Sequence, residues 1–131
     1  MSLKTIWVVD DDPIYQIIAN KIIKKSELFL SASSFKNGKD AIDVLKKSVE
    51  KGEILPNIIL LDINMPIMDG WEFMEEMVKL KSQISEPIQI YIVSSSIALE
   101  DKSKAKNYSD IIAYLSKPID SNDLILIAAN I

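Results

Sequence analysis

Short apolar runs alternate along the chain with longer stretches in which apolar residues return every three or four positions. Lys4–Asp10 (KTIWVVD) reads as a buried strand. Pro13–Lys25 follows as a helix, with Pro in its first turn and Ile14, Ile17, Ile18 and Ile22 on one face. Leu28–Ser34 is a weaker strand, and Asn37–Lys51 is predicted as a helix carrying Ala41, Ile42, Leu45 and Val49, stopped by Gly52. Asn57–Ile63 (NIILLDI) is apolar on both faces, as the centre of a parallel sheet requires. After the turn-rich NMPIMDG, a helix over Gly70–Lys81 is expected to bury Phe73, Met74, Met77 and Leu80. A strand Ile88–Ser94, a polar helix over about Leu99–Tyr108, a strand Ile111–Leu115 and a last helix from about Ser121 complete the series.

This is β-α five times over, without an internal repeat, and it predicts an α/β fold with a five-stranded parallel sheet, right-handed crossovers and helices on both faces. At 131 residues the chain is expected to be one domain over 1–131. In open sheets of this kind ligands sit beyond the carboxyl ends of the strands, where the strand order reverses. The chemistry is therefore sought at that edge.

Composition removes several alternatives. With no Cys and no His, disulfide scaffolds, thiolate nucleophiles, imidazole-based triads, the usual zinc enzymes and phosphohistidine carriers are excluded. The 15 basic residues are all Lys and stand against 19 acidic ones, so a net charge of −4 and the lack of Arg disfavour direct binding of nucleic acid. The longest late apolar run, Leu124–Ala129, is too short to span a bilayer, and neither a signal peptide nor membrane insertion is expected. The absence of Cys is compatible with a reducing cytoplasm, where we expect the protein to reside.

Four of the five predicted strands end in a polar group able to do chemistry: Asp10 with Asp11 and Asp12, then Asp62, Ser94, and Lys117 just past the last strand. A flavodoxin-like strand order 2-1-3-4-5 makes strands one and three neighbours and brings Asp10 and Asp11 beside Asp62. Crowded carboxylates raise one another's pKa unless a cation joins them, and Mg2+ suits a pocket of one or two carboxylates, waters and a phosphate oxygen. Three carboxylates and one ammonium leave a formal charge of about −2, which a dication neutralises. Phosphoryl transfer needs mainly positioning and charge stabilisation, with Asp62 as the nucleophile that becomes an acyl phosphate, Ser94 as a hydrogen-bond donor and Lys117 as a counter-charge. Taken singly each has a plainer reading: a solvated DDDP turn with an N-cap, serines capping a loop, a surface lysine before a proline. The joint placement is what those readings do not predict.

WVVDDDP, LLDINMPIMDGWE, IYIVSSS and AYLSKPID, together with NGKDAIDVL, span nearly the whole chain, and in that order they strongly resemble the receiver domain of bacterial two-component response regulators. The build is similar to that of the single-domain chemotaxis regulator. The resemblance implies that Asp62 accepts phosphate from a histidine kinase or phosphotransfer protein, and that Asp10, Asp11, Asp62 and the main-chain carbonyl of Asn64 hold Mg2+. It implies that Ser94 is the switch hydroxyl, Tyr114 the aromatic that turns inward, and Lys117–Pro118 a cis peptide. Asp12 has no fixed role in the pattern and is expected to cap a helix. Asn64 and Ser96 are expected to flank the path of an attacking water, and a switch surface around Ile97, Ala98, Tyr114 and Lys117 is expected to meet an unidentified downstream protein. Two departures stand out: Ser94 is more often Thr in the family, and the last helix has an apolar end, LILIAANI. An aspartyl-phosphate phosphatase of haloacid-dehalogenase type, with Asp10 as nucleophile, is the enzymatic alternative. A binding module that takes no phosphate is the third reading.

Overall fold

The computed structural model describes residues 3–95 and 99–130. Its elements run β1 (Lys4–Val9), α1 (Pro13–Ser26), β2 (Phe29–Phe35), α2 (Gly38–Lys51), β3 (Ile58–Leu61), α3 (Gly70–Leu80), a 3-10 turn (Lys81–Gln83), β4 (Gln89–Ser94), α4 (Leu99–Ala105), β5 (Ile111–Ser116) and α5 (Ser121–Ala129). All strand pairings are parallel, in the order β2-β1-β3-β4-β5. The flavodoxin-like order expected from the sequence is the one observed.

Alternation along the strands sends successive residues to opposite faces, and the core divides accordingly. Trp7, Val9, Ile59, Leu61, Ile90 and Ile92 pack against Ala41, Ile42 and Leu45 of α2 and Phe73, Met74 and Met77 of α3. Ile6, Val8, Ile58, Leu60, Tyr91 and Val93 pack against Tyr15, Ala19 and Ile23 of α1 and Leu124 and Ile127 of α5. The central strand β3 is buried on both faces, as its uninterrupted apolar run required.

Three details differ from the sequence expectation. The face of α1 that carries Ile14, Ile17 and Ile18 is exposed, and the buried stripe is Tyr15, Ala19 and Ile23 instead. Helix α4 ends at Ala105 rather than Tyr108, because its last bonds tighten: Asn107 and Tyr108 donate to the carbonyls of Lys104 and Ala105, three residues back. Tyr108 then leaves the helix to stack on Trp71, ring centroids 6.1 Å apart. Regular β3 is shorter than Asn57–Ile63, yet its hydrogen bonding continues at both ends: Asn57 N–H reaches the Thr5 carbonyl at 3.0 Å and Asp62 N–H the Val9 carbonyl at 2.9 Å. Asp62 is thus fixed by the sheet itself.

Helix starts are capped as the polar residues before them suggest. Asp12 accepts from the N–H groups of Ile14 and Tyr15, Asn37 caps α2, and Asp69 forms a reciprocal capping box with Glu72 at α3. Between Asp62 and that box the chain turns sharply. Met68 N–H bonds the Pro66 carbonyl at 2.9 Å across Ile67, which has φ 73° and is 78% exposed. A three-residue turn with positive φ is strained, and a β-branched side chain makes it more so. Ile67→Gly is therefore expected to raise stability by about 1 kcal/mol, the relief exceeding glycine's added chain entropy, as read from urea midpoints; a lowered midpoint contradicts the assignment of strain.

Candidate functional site

The carboxyl ends of β1 and β3 lie side by side, with Val9 paired to Leu61, so the next residues, Asp10 and Asp62, are neighbours. Both side chains are buried, Asp10 at 1% and Asp62 at 6% exposure, whereas Asp11 stands in solvent at the rim. Carboxylate oxygens of Asp10, Asp11 and Asp62 all lie within 4.8 Å of one another. Lys117 reaches in from beyond β5, its ammonium 2.7 Å from Asp10 Oδ2 and 3.6 Å from Asp62 Oδ2. Main-chain donors engage the remaining oxygens: Asp12 N–H bonds Asp10 Oδ1, and Ile63 N–H bonds Asp62 Oδ1, each at 2.9 Å.

Burial first, and then the Asp10 carboxylate, push the Asp62 carboxyl from the usual 3.8 up to about 6, against the pull of Lys117. Burial raises Asp10 too, opposed by its hydrogen bond from Lys117. Lys117 loses by burial but gains more from Asp10 and Asp62, and its pKa stands above the usual 10.5. One ammonium does not offset the crowded acids. An all-oxygen donor set with two buried carboxylates and a third at the rim fits a hard divalent cation such as Mg2+, which keeps several waters and dehydrates reluctantly.

On the other side of the edge, Ser94 ends β4 at 1% exposure, and its carbonyl accepts from Lys117 N–H at 3.0 Å. The half-buried Tyr114 lies beside Ser94: burial raises its phenol pKa above the usual 10.0, and the Ser94 hydroxyl pulls the other way. Lys102 of α4 stands 5.9 Å from the Tyr114 ring centroid. The Lys117–Pro118 peptide bond is cis. Asn64 is exposed two residues past Asp62. Ser96, Ile97 and Ala98 lie outside the described residues. Every other residue singled out in the sequence thus lies at or beside one strand edge.

Two contributors were not singled out. Gln16 of α1 donates its amide to the carbonyls of Val8, Asp10 and Phe35 at 3.3, 2.9 and 2.9 Å, tying the helix to the ends of β1 and β2. Tyr15 lies with its ring centroid 4.6 Å from the Lys117 ammonium. Neither belongs to a short motif, and nothing in residue type alone distinguishes Tyr15 from a core aromatic.

Comparison with known proteins agrees with the observed fold. The family model for the response regulator receiver domain matches residues 6–129. A protein-glutamate methylesterase/protein-glutamine glutaminase of Treponema pallidum is 33% identical over 95 residues, 72% of this chain and 21% of that protein. A probable methanogenesis regulatory protein of Methanothrix harundinacea is 26% identical over 91% of this chain and 75% of its own. The chain thus spans about a fifth of the length of the first relative and three quarters of the second. Among solved structures, a two-component response regulator from Cytophaga hutchinsonii superposes with a TM-score of 0.79 at 28% identity, covering 100% of both chains. A response regulator receiver protein from Dyadobacter fermentans gives 0.81 at 27% identity over 96% of this chain and 95% of its own.

Proposed function

The chain belongs to the response regulator receiver-domain family, a family of regulatory phosphoacceptors, and from that premise we propose that it accepts a phosphoryl group on Asp62 from a histidine kinase or phosphotransfer protein and thereby switches a protein-binding surface. The observation that carries the reading is the Asp62 carboxylate at a strand end, clustered with the carboxylates of Asp10 and Asp11 and within reach of the Lys117 ammonium. Asp10, Asp11, Asp62 and the main-chain carbonyl of Asn64 would hold Mg2+, which supplies charge neutralisation of the phosphoryl oxygens when bound.

An oxygen of Asp62 attacks phosphorus, the bond from phosphorus to the donor's nitrogen or oxygen breaks, and the donor leaves with that electron pair. Lys117 offsets charge on the transferred group, and the Ser94 hydroxyl donates to it. The resulting rearrangement around Ser94, Tyr114 and α4 is the readout for a downstream protein. The phosphoryl group shifts that equilibrium only by its differential contacts in the two states. Asp10 is the poorer nucleophile, since the Lys117 ammonium holds its Oδ2 at 2.7 Å against 3.6 Å for Asp62, which disfavours the phosphatase alternative. No helix among the described residues is long and apolar enough to cross a membrane.

Incubation with acetyl phosphate and Mg2+, followed by mass-spectrometric location of the modified residue, tests the reading. The label is expected on Asp62, absent from Asp62→Asn and dependent on the cation. Label on Asp10 selects the phosphatase, and no label on any Asp selects the module that takes no phosphate.

A further inference from the structure

We propose that Tyr15 is a positioning residue for Lys117, the face of its ring holding the ammonium in the acidic site while the charges around it change. The inference rests on the reading of Asp62 as acceptor and adds a residue outside the acids, hydroxyl and lysine of that reading.

Tyr15 heads the buried stripe of α1, above Ala19 and Ile23, and is 7% exposed. Its ring centroid lies 4.6 Å from Lys117 Nζ, well inside the distance at which an aromatic quadrupole attracts a cation. The phenol hydroxyl is buried and makes no hydrogen bond of good geometry. A hydroxyl in that position contributes nothing favourable. What Tyr15 offers the site is its ring.

The ammonium has three holds: Asp10 at 2.7 Å, Asp62 at 3.6 Å and the ring at 4.6 Å. Two of these are carboxylates, whose pull on Lys117 weakens when a divalent cation engages them. The ring is neutral and keeps its attraction in that state. A lysine side chain has several rotatable bonds and favours strong hydration, and this one is 17% exposed, with water as the alternative to the site. The ring therefore matters most when the carboxylate nearest to Lys117 is otherwise engaged, the condition under which Asp62 is to react. Tyr15 does this from α1, whereas the two carboxylates stand at strand ends.

Tyr15→Phe and Tyr15→Leu, made in the full chain, separate the ring from the hydroxyl and from bulk. In the NMR spectrum the Lys117 Hε resonances are expected upfield in wild type and Tyr15→Phe through the ring current, and at ordinary positions in Tyr15→Leu. With acetyl phosphate and saturating Mg2+, Tyr15→Phe is expected to be labelled within about twofold of the wild-type rate and Tyr15→Leu about three- to tenfold more slowly, the span a cation–π contact supports. Mg2+ affinity, followed by amide shifts of Asp10 and Asp11, is expected to be unchanged in Tyr15→Phe, which keeps the ring. Wild-type labelling by Tyr15→Leu, or slowing by Tyr15→Phe as large as by Tyr15→Leu, overturns the proposal. If Tyr15→Leu does not fold, Tyr15→Met, a flexible apolar filler, takes its place with the same expected outcomes. A wild-type protein that takes no phosphate overturns the acceptor reading instead, and the Lys117 resonances still decide whether the ring holds the ammonium.

Discussion

Asp62→Asn is expected to be more stable than the wild type by about 2 to 3 kcal/mol at pH 7 in EDTA, even though it removes a charged partner of Lys117. A carboxyl raised from 3.8 to about 6 by burial and by Asp10 is, at neutral pH, a charge the folded chain would rather not carry, worth up to about 3 kcal/mol. The lost contact is the longer of the two made by Lys117, 3.6 Å against 2.7 Å to Asp10, so the ammonium stays paired. Asn keeps an oxygen to accept the Ile63 N–H. Because the pKa is raised in the folded state, the stability linked to protonation is fully present below 3.8 and is lost as pH rises through about 6. Metal-free wild type should therefore gain stability on acidification from pH 7 towards pH 4, while Asp62→Asn gains markedly less, the remainder coming from Asp10, which is raised as well. Mg2+ at a hundredfold excess over its Kd should add about 2.7 kcal/mol to the wild type and much less to the variant. Urea melts at fixed ionic strength, across pH and with or without Mg2+, measure both effects. A variant less stable than wild type in EDTA, with no response to Mg2+ in either protein, would mean that the acids are not clustered.

The acids of this site are legible in the sequence because each breaks a pattern. Asp62 ends an apolar run that has no other reason to carry a charge, and Asp10 and Lys117 stand where alternation of strands and helices puts strand ends. Tyr15 and Gln16 break no pattern. The isoleucine spacing of α1 points the helix the wrong way, since Ile14, Ile17 and Ile18 form the more apolar stripe and yet face solvent. Position on the sheet decides the outcome: the i, i+4, i+8 stripe of Tyr15, Ala19 and Ile23 presents one large residue, one small one and one β-branched residue to Ile6, Val8 and Leu60, a shape that hydropathy does not encode. The end of α4 departs from the sequence expectation for a related reason. The polar helix is expected to run to about Tyr108, but the ring of Tyr108 stacks on Trp71 beyond the helix end.

Gly70→Ala is expected to cost about 3 kcal/mol and to slow labelling of Asp62 by at least about tenfold. Gly70 does not need an unusual backbone; it needs to have no side chain. A Cβ there would stand 2.5 Å from the Asp62 carbonyl oxygen and 2.9 Å from Ile63 Cα, and because both obstacles are backbone, no rotamer change makes room. Either the end of β3 or the first turn of α3 must move. The first is held by the bond from Asp62 N–H to Val9 at 2.9 Å, and the second by Gly70 N–H to the Ile63 carbonyl at 2.8 Å, by the Asp69–Glu72 capping box and by Phe73, which is fully buried. Overpacking of this kind costs 1–3 kcal/mol even where side chains can yield, so the upper end applies. A displacement of about 1 Å at a reacting group costs up to about a hundredfold in rate, and the Asp62 carboxylate rides on the backbone that is pushed. Gly52→Ala is the matching control: φ there is 68° with open space around it, so it should lower stability by about 1 kcal/mol and leave labelling unchanged. Equal urea midpoints for Gly70→Ala and wild type, with normal labelling, would show that the loop yields freely and that the close approach of α3 does not set the place of Asp62.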